Sequence, residues 1–378
     1  MEFFFWLSIV VLFYIYFGYP LLLSLLPKRK IIIQSMDELP TITVVIPAFN
    51  EEDVIAATIQ NKLDQDYPID KMKIIVVSDE SEDNTDSIVT GFERKYDNVK
   101  LLKQTPRQGK TSGLNLAFQE IKSEIIVFSD ANSIFDLDAM KALVSTFSDP
   151  AVGYVTGKMV YVNDDGSMVG DGCSAYMKYE NHMRDLESSI GSVVGVDGGI
   201  DAMRTELYTE LNADQLPDFV QPLKVVEQHR RVVYQPEAIL KEEALSDNGS
   251  EFRMRIRVSL RALWALSDMR ALLNPFKYGL FSLQLFSHKV MRYLAFVPLI
   301  ITFICNVALL GSGAFYNLAL FAQIIFYALA FVGHNNPGSS NKWVGLAHYF
   351  CLINVAAAMA SIRFFKGEKI VIWKPRQG

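Results

Sequence analysis

Ile125–Ala139 reads IIVFSDANSIFDLDA. Its first four residues form an apolar run suited to a strand buried on both faces, and the next four, Ser129-Asp130-Ala131-Asn132, place a carboxylate and an amide where that strand would leave its sheet. Three other short strand-like runs precede it: TITVVIPAF (Thr41–Phe49), KIIVVSD (Lys73–Asp79) and KLLKQ (Lys100–Gln104). Helical patterns alternate with them at Glu51–Leu63, Asp83–Arg94 and Ser112–Glu120. Strands alternating with helices predict an α/β fold, a mostly parallel, doubly wound sheet with helices on both faces. In such sheets ligands sit outside the carboxyl ends of the strands, and these runs end in Asn50-Glu51, Ser78-Asp79 and Ser129-Asp130. No Gly-x-Gly-x-x-Gly is present, and no complete Gly-x-x-x-x-Gly-Lys-Ser/Thr loop, since Gln104 stands where the Gly109-Lys110-Thr111 sequence would need its first glycine, so a dinucleotide site or P-loop is not indicated.

Half of the 378 residues are hydrophobic and 21% are charged, a mixture that predicts a water-soluble domain joined to membrane segments. The net charge of -6 argues against a nucleic-acid partner, which calls for a basic face. Cys173, Cys305 and Cys351 are odd in number and far apart, and the five histidines form no His-Glu-x-x-His pattern. A disulfide framework and a zinc hydrolase are therefore not expected. Phe3–Leu26 is uncharged and long enough to span a bilayer. The basic PKRK after it (Pro27–Lys30) orients the N-terminus outward and the chain beyond Lys28 inward. Leu294–Leu310, Phe315–Val332 and Val344–Ile362 are further candidate spans. Three more crossings would leave the basic tail RFFKGEKIVIWKPRQG outside, against its charge, so one segment is expected to be re-entrant or interfacial. The expected layout is a membrane helix at 1–30, a catalytic domain at 39–247, amphipathic interface helices at 248–290 and membrane segments with a basic tail at 291–378. This describes a multi-pass inner-membrane protein with its catalytic domain on the cytoplasmic face.

VVIPAFNEE, VVSDESEDNT, RQGKTSGLN, FSDAN, GGIDAMR and PDFVQPLKV occur in the order and spacing of one set of motifs. With them the chain resembles the membrane-bound family 2 glycosyltransferases. That resemblance implies a GT-A fold with a mixed sheet flanked by transmembrane helices, a nucleotide-diphosphate sugar donor, usually UDP-linked, and a divalent metal, Mg2+ or Mn2+. The chemistry asks for the same groups, because a departing diphosphate must be neutralised and a hard cation does so through one or two carboxylates and the phosphate oxygens. Asp130 takes the metal position, with Asn132 where the family often has a second Asp; the competing reading is that Ser129-Asp130 caps a helix beginning near Asp136. Pro47, Asn50, Glu51 and Asp79 fall at the nucleotide end, Asp79 matching the acid that reads the nucleobase. Asp79 could instead cap the following helix, a task for which Asp83 and Thr85 are better placed. Lys110 offers a point charge to the diphosphate, or is solvated surface charge.

Asp218 matches the general base of an inverting transfer, with Pro217 where a first acid is common. A plain helix-start aspartate is the alternative. Gly198, Gly199 and Arg204 match the acceptor-side loop, where the alternative is a glycine turn without a ligand. Arg253, Arg257 and Arg261 recur at helical spacing, either on an amphipathic helix lying on the bilayer or over the diphosphate. Val258 follows Arg257 where the family's processive synthases carry tryptophan. The expected activity is transfer of a sugar to a membrane-associated, lipid-linked acceptor in surface polysaccharide assembly. A processive synthase that also exports its polymer is the enzymatic alternative, and a catalytically inactive membrane scaffold the non-enzymatic one.

Overall fold

The computed structural model describes residues 1–29, 31, 38–162, 172–243, 248–336 and 341–370. Lys30 and the last eight residues of the basic tail lie outside the described residues. The chain divides into two units, one comprising Lys28–Met168 and Glu187–Glu243, the other Met1–Pro27, Val169–Leu186 and Ala244–Lys369.

The first unit is built on an eight-stranded sheet. Its strands are β1 (Ile42–Ala48), β2 (Met72–Ser78), β3 (Val99–Lys103), β4 (Ile125–Ser129), β5 (Ile134–Phe135), β6 (Val152–Val162), β7 (Ile200–Arg204) and β8 (Arg231–Glu243). They lie in the order β3-β2-β1-β4-β7-β6-β8-β5. The β3-β2-β1-β4 half is parallel, as the alternation of strands and helices predicts. β7 then runs antiparallel to both β4 and β6, so the whole sheet is mixed. Every residue of β4 and all but Pro47 of β1 are buried, as strands covered on both faces must be. Pro47, which has no N–H, lies beyond Val45, the last β1 residue paired with β4, and leaves that ladder intact.

Because β1, β2 and β4 are parallel neighbours, Asn50, Asp79 and Asp130 emerge at one rim. Asp130 does not cap a helix: the next one is Ala139–Ser145, with Asp138 at its cap position. Asp79 is no cap either. The backbone N–H of Thr85, which opens the helix Thr85–Lys95, donates to Asp83 Oδ1 at 2.9 Å.

The second unit is helical. Glu2–Leu25, Ala314–Asn335 and Lys342–Phe365 are long and apolar enough to cross a membrane. The span expected at Leu294–Leu310 is instead the helix Phe296–Ala308, whose 13 residues reach only about 20 Å against the ~30 Å of a bilayer core. It meets the helical segment Leu280–Tyr293 at a 55° bend, the geometry of a broken span or a re-entrant loop. The helix Asn248–Asp268 buries Ile256, Leu260 and Ala265. It packs on Lys342–Phe365, with the Trp264 and Phe364 rings 4.6 Å apart and Tyr349 donating to Glu251 at 3.3 Å. Part of its apolar face is thus covered by a candidate span of the same unit. Within this unit Glu180 is buried and meets both His288, at 3.3 Å, and Arg292. That arrangement balances a charge that would be costly to bury alone.

Candidate active site

At the end of β2, Asp79 is 7% exposed and is surrounded by donors of the segment Gln104–Gly109. Its Oδ1 accepts from the Gln104 amide and from Gln108 N at 2.9 Å, and its Oδ2 from Gly109 N at 3.0 Å and Arg107 Nε at 3.4 Å. Four donors fill the acceptor capacity of a carboxylate. The Arg107 guanidinium also covers the Phe49 ring at 3.3 Å. Asn50 adopts a left-handed φ of 53°, which asparagine tolerates, and its Oδ1 accepts from Glu82 N at 2.8 Å. Glu51 N donates to Thr85 Oγ1 at 2.8 Å. The loops after β1 and β2 are thereby tied together.

Gly109 has φ 87°, a conformation other residues resist, and it turns the chain from Asp79 into the helix Lys110–Phe118. Lys110 therefore enters the rim from that helix start. Its ammonium donates to Asp130 Oδ1 at 2.8 Å and to Asp218 Oδ2 at 3.2 Å. Burial alone would lower the Lys110 ammonium, but the Asp130 and Asp218 carboxylates outweigh it and raise it above its ordinary value. Its side chain is 22% exposed, so it is not solvated surface charge. The same helix holds the segment before Asp218: Thr111 donates to the Gln215 carbonyl at 2.9 Å and Asn115 to the Leu211 carbonyl at 2.7 Å.

Asp218 lies in the first turn of the helix Pro217–Glu227, where the helix dipole favours a negative charge, so it is a helix-start aspartate and also part of the rim. Pro217 is at the head of this helix, a position that needs no N–H. Gly198, at φ 85°, lets the backbone approach Asp218: a Cβ there would stand 2.6 Å from Asp218 Cγ. A Cβ on Gly199 would stand 2.8 Å from Leu240 Cδ2 and 3.6 Å from Asp130 Oδ2. The two glycines thus lie beside the two carboxylates that Lys110 joins.

Arg204 is the exception. In the antiparallel β4–β7 pair, Ile200 lies opposite Ser129 and Arg204 opposite Ile125. Four residues of strand carry it roughly 13 Å to the other end of the sheet. There its guanidinium donates to the carbonyls of Val152 (2.8 Å) and Phe147 (2.7 Å). Arg204 is a structural clamp, not an acceptor-side or diphosphate-side group. Arg253 and Arg257 belong to the helical unit, on Asn248–Asp268, the first exposed and the second half-buried. Asn132 directs its amide to Glu242 Oε1 at 3.4 Å.

Two residues go unnoticed in the sequence. Asp201, in β7, is fully buried and its Oδ2 accepts from Tyr154 OH (2.9 Å) and Gly198 N (3.1 Å). Burial pushes its carboxyl up to about 7; the nearby Asp218 and Asp197 charges add to this and the Thr156 and Tyr154 hydroxyls oppose it. Lys62 is also fully buried, and burial depresses its amine well below the ordinary lysine value.

Residues 40–263, more than half of the chain, match the family model described as glycosyltransferase like family 2. The chain is 38% identical over 142 residues to the probable glycosyltransferase YdaM of Bacillus subtilis, covering 36% of this chain and 33% of that protein. It is 33% identical over 145 residues to a poly-beta-1,6-N-acetyl-D-glucosamine synthase of Staphylococcus aureus, covering 38% and 34%. This chain therefore spans about a third of the length of each of these relatives. Among solved structures, a mannosyltransferase from Pyrobaculum calidifontis in complex with GDP-Man and Mn2+ superposes over 97% of this chain and 99% of its own, with a TM-score of 0.73 at 21% identity. That likeness identifies the fold as GT-A-like.

Proposed function

Because the chain belongs to the glycosyltransferase-like family 2, we propose that it transfers a sugar, with inversion, from a nucleotide-diphosphate sugar to a membrane-associated, lipid-linked acceptor in surface polysaccharide assembly. The observation that carries this reading is the Lys110 ammonium held between the Asp130 and Asp218 carboxylates at the carboxyl rim of the parallel strands.

The donor is UDP-linked and lies along the ends of β1 and β2. Pro47, Asn50 and Glu51 flank its nucleotide, and Asp79 sets the Gln104–Gly109 turn beside it. Lys110 offers its ammonium to the diphosphate as a point charge. Asp218 accepts the proton of the acceptor hydroxyl as that oxygen attacks the anomeric carbon from the face opposite the leaving group. Gly198 and Gly199 leave room for the acceptor sugar close to the backbone.

The residues present suit a divalent metal. The Asp130 side chain is 40% exposed, and Gly199 leaves space on its Oδ2 side. Among the described residues no three His, Cys, Asp or Glu side chains converge, so the protein would supply one or two oxygens. Mg2+ and Mn2+ accept so sparse a set when phosphate oxygens complete it. Asp130 would hold the metal directly, with Asn132 beside it. When bound, the metal stabilises the negative charge of the departing diphosphate. The apolar helices Glu2–Leu25, Ala314–Asn335 and Lys342–Phe365 anchor the protein in the membrane, with the α/β unit on the cytoplasmic side.

A processive synthase is the second reading, favoured by the likeness to the staphylococcal synthase. Against it, Val258 follows Arg257. The nearby Trp264 is engaged with Phe364 and with the Glu368 carbonyl at 2.8 Å. Purified full-length protein, incubated with a panel of labelled nucleotide-sugars, membrane lipid extract and Mn2+, tests both readings by product size. A short lipid-linked product, lost in Asp218→Asn, is expected. Long polymer made from donor alone would establish the second reading, and full transfer by Asp218→Asn would refute the assigned base.

A further inference from the structure

Asp201 is an acid within a strand, with its side chain fully buried next to the base candidate. β7 is an interior strand, pairing Asp201 with Phe128 of β4 on one side and with Thr156 of β6 on the other, and the side chain is shielded from water. One oxygen accepts from the Tyr154 hydroxyl and from Gly198 N. The other, Oδ1, is buried and takes no hydrogen bond from the described residues. A carboxyl fully buried in a core strand costs stability even when hydrogen-bonded, and a side chain of the same size without charge would fit the same space. Its position therefore calls for a reason other than folding.

Its neighbours supply one. The N–H that Asp201 holds belongs to Gly198, whose α-carbon lies against the Asp218 carboxylate. Tyr154, 1% exposed, fixes Asp201 from β6. The chain of contacts Tyr154–Asp201–Gly198–Asp218 joins a core strand to the group that would take the acceptor's proton. We propose that Asp201 is a positioning residue for Asp218: with Tyr154 it fixes the Gly198 turn against the base, and its carboxyl places a second, titratable negative charge behind it. This rests on Asp218 being the base.

The groups facing Asp201 are Tyr154 and Thr156 from β6, Asp197 from the turn before β7, and Asp218 from the helix Pro217–Glu227. Asp218 is itself paired with the Lys110 ammonium, which also meets Asp130. Two carboxyls coupled in this way titrate as a pair. Ionisation of Asp201, centred at about 7, makes Asp218 a stronger base, so kcat/KM should rise with pH there.

The test uses the full-length protein and the donor selected by the nucleotide-sugar screen. Wild type must transfer sugar and Asp218→Asn must not; if Asp218→Asn stays active, the base assignment fails and this inference with it. Given that base, Asp201→Asn is expected to lose the rise near 7, to lower kcat about tenfold at higher pH and to leave the donor KM unchanged. A wild-type profile, or a lower melting temperature with an unaltered profile, would overturn the proposal. Should Asp201→Asn fail to fold, Tyr154→Phe carries the test. It is expected to lower kcat at constant donor KM, and an unchanged kcat and profile would overturn the proposal equally.

Discussion

The Lys62 amino group donates to the Ser133 carbonyl at 2.6 Å, and so fastens the loop that carries Asp130 and Asn132 to the helix Ile55–Leu63. Its other contacts are neutral as well: Asn61 Oδ1 at 3.1 Å and the face of the Phe135 ring at 3.5 Å. Lys62→Met fills the same space but leaves the Ser133 carbonyl without this donor, at a cost of about 1–3 kcal/mol. Loosening a loop that holds a catalytic carboxylate should reduce transfer ~10–100-fold. The reduction should appear in kcat, with the nucleotide affinity little changed, as read by steady-state kinetics and UDP titration.

Lys62 also predicts a pH dependence. Its folded-state pKa is depressed by burial, so from that value up to about 10.4 the unfolded chain binds a proton that the native protein does not. Stability therefore rises with pH through this window. Melting curves of Lys62→Met should lack that contribution, so the variant's deficit relative to wild type should widen as pH increases from neutral to about 10.

Asp201 acts in the opposite sense. Its carboxyl titrates at about 7 in the folded protein and near 3.9 when unfolded. Between those values the native state keeps a proton that the unfolded chain has released, so stability falls as pH rises, by at most about 4 kcal/mol. Asp201→Asn should remove that slope and melt higher than wild type, relative to their difference at pH ~4, once the pH exceeds ~7. Fluorescence-monitored melting across the range gives the sign directly.

The parallel half of the sheet is legible because its strands are short apolar runs, mostly β-branched, that alternate with helical patterns. β6 and β7 are not: Gly153 and Gly157 interrupt the first, and Asp201 is the second of the five residues of the other. A lone aspartate after two glycines looks like part of a turn, and its partner Tyr154 is 47 residues away. Closeness in sequence to Gly198 does not place Arg204 at the rim, because the intervening strand carries it to the other end of the sheet. Lys62 carried a usable signal. Ile55, Thr58, Ile59 and Lys62 repeat at the spacing of one helix face, and all four are buried. A lysine completing an apolar stripe must find a buried acceptor. Asp79, Asp130 and Asp218 are recognisable from motif order, but the contact of Asp79 with the Gln104–Gly109 turn and of Asp130 and Asp218 with Lys110 exists only once the chain is folded.

Gly198→Ala tests the close approach to the base. A methyl group at φ 85° is strained by about 1–2 kcal/mol, and it would also strike Asp218 Cγ at 2.6 Å. The carboxylate must move, so transfer should fall at least ~100-fold while donor binding persists. Wild-type kcat in a folded Gly198→Ala protein would contradict the assigned position of the base.

Lys110 and a metal ion compete for the same carboxylate, and this separates their roles. The ammonium occupies Asp130 Oδ1 at 2.8 Å, so a cation bound to Asp130 must use Oδ2 or displace it. Lys110→Met removes the competitor and leaves two carboxylates without their shared positive partner, an arrangement that attracts a divalent ion more strongly. Mn2+ should therefore bind this variant at least as tightly as wild type, even though transfer drops by about 100-fold or more for want of a charge on the diphosphate. Asp130→Asn should weaken Mn2+ binding by about tenfold or more. Chelation by EDTA should abolish transfer in the wild-type protein, and added Mg2+ or Mn2+ should restore it. Calorimetric or paramagnetic titration of Mn2+ in the presence of UDP reads the binding step without reference to turnover. If Lys110→Met lost Mn2+ affinity in parallel with Asp130→Asn, the lysine would be organising the metal site, and its assignment as a counter-charge to the diphosphate would be wrong.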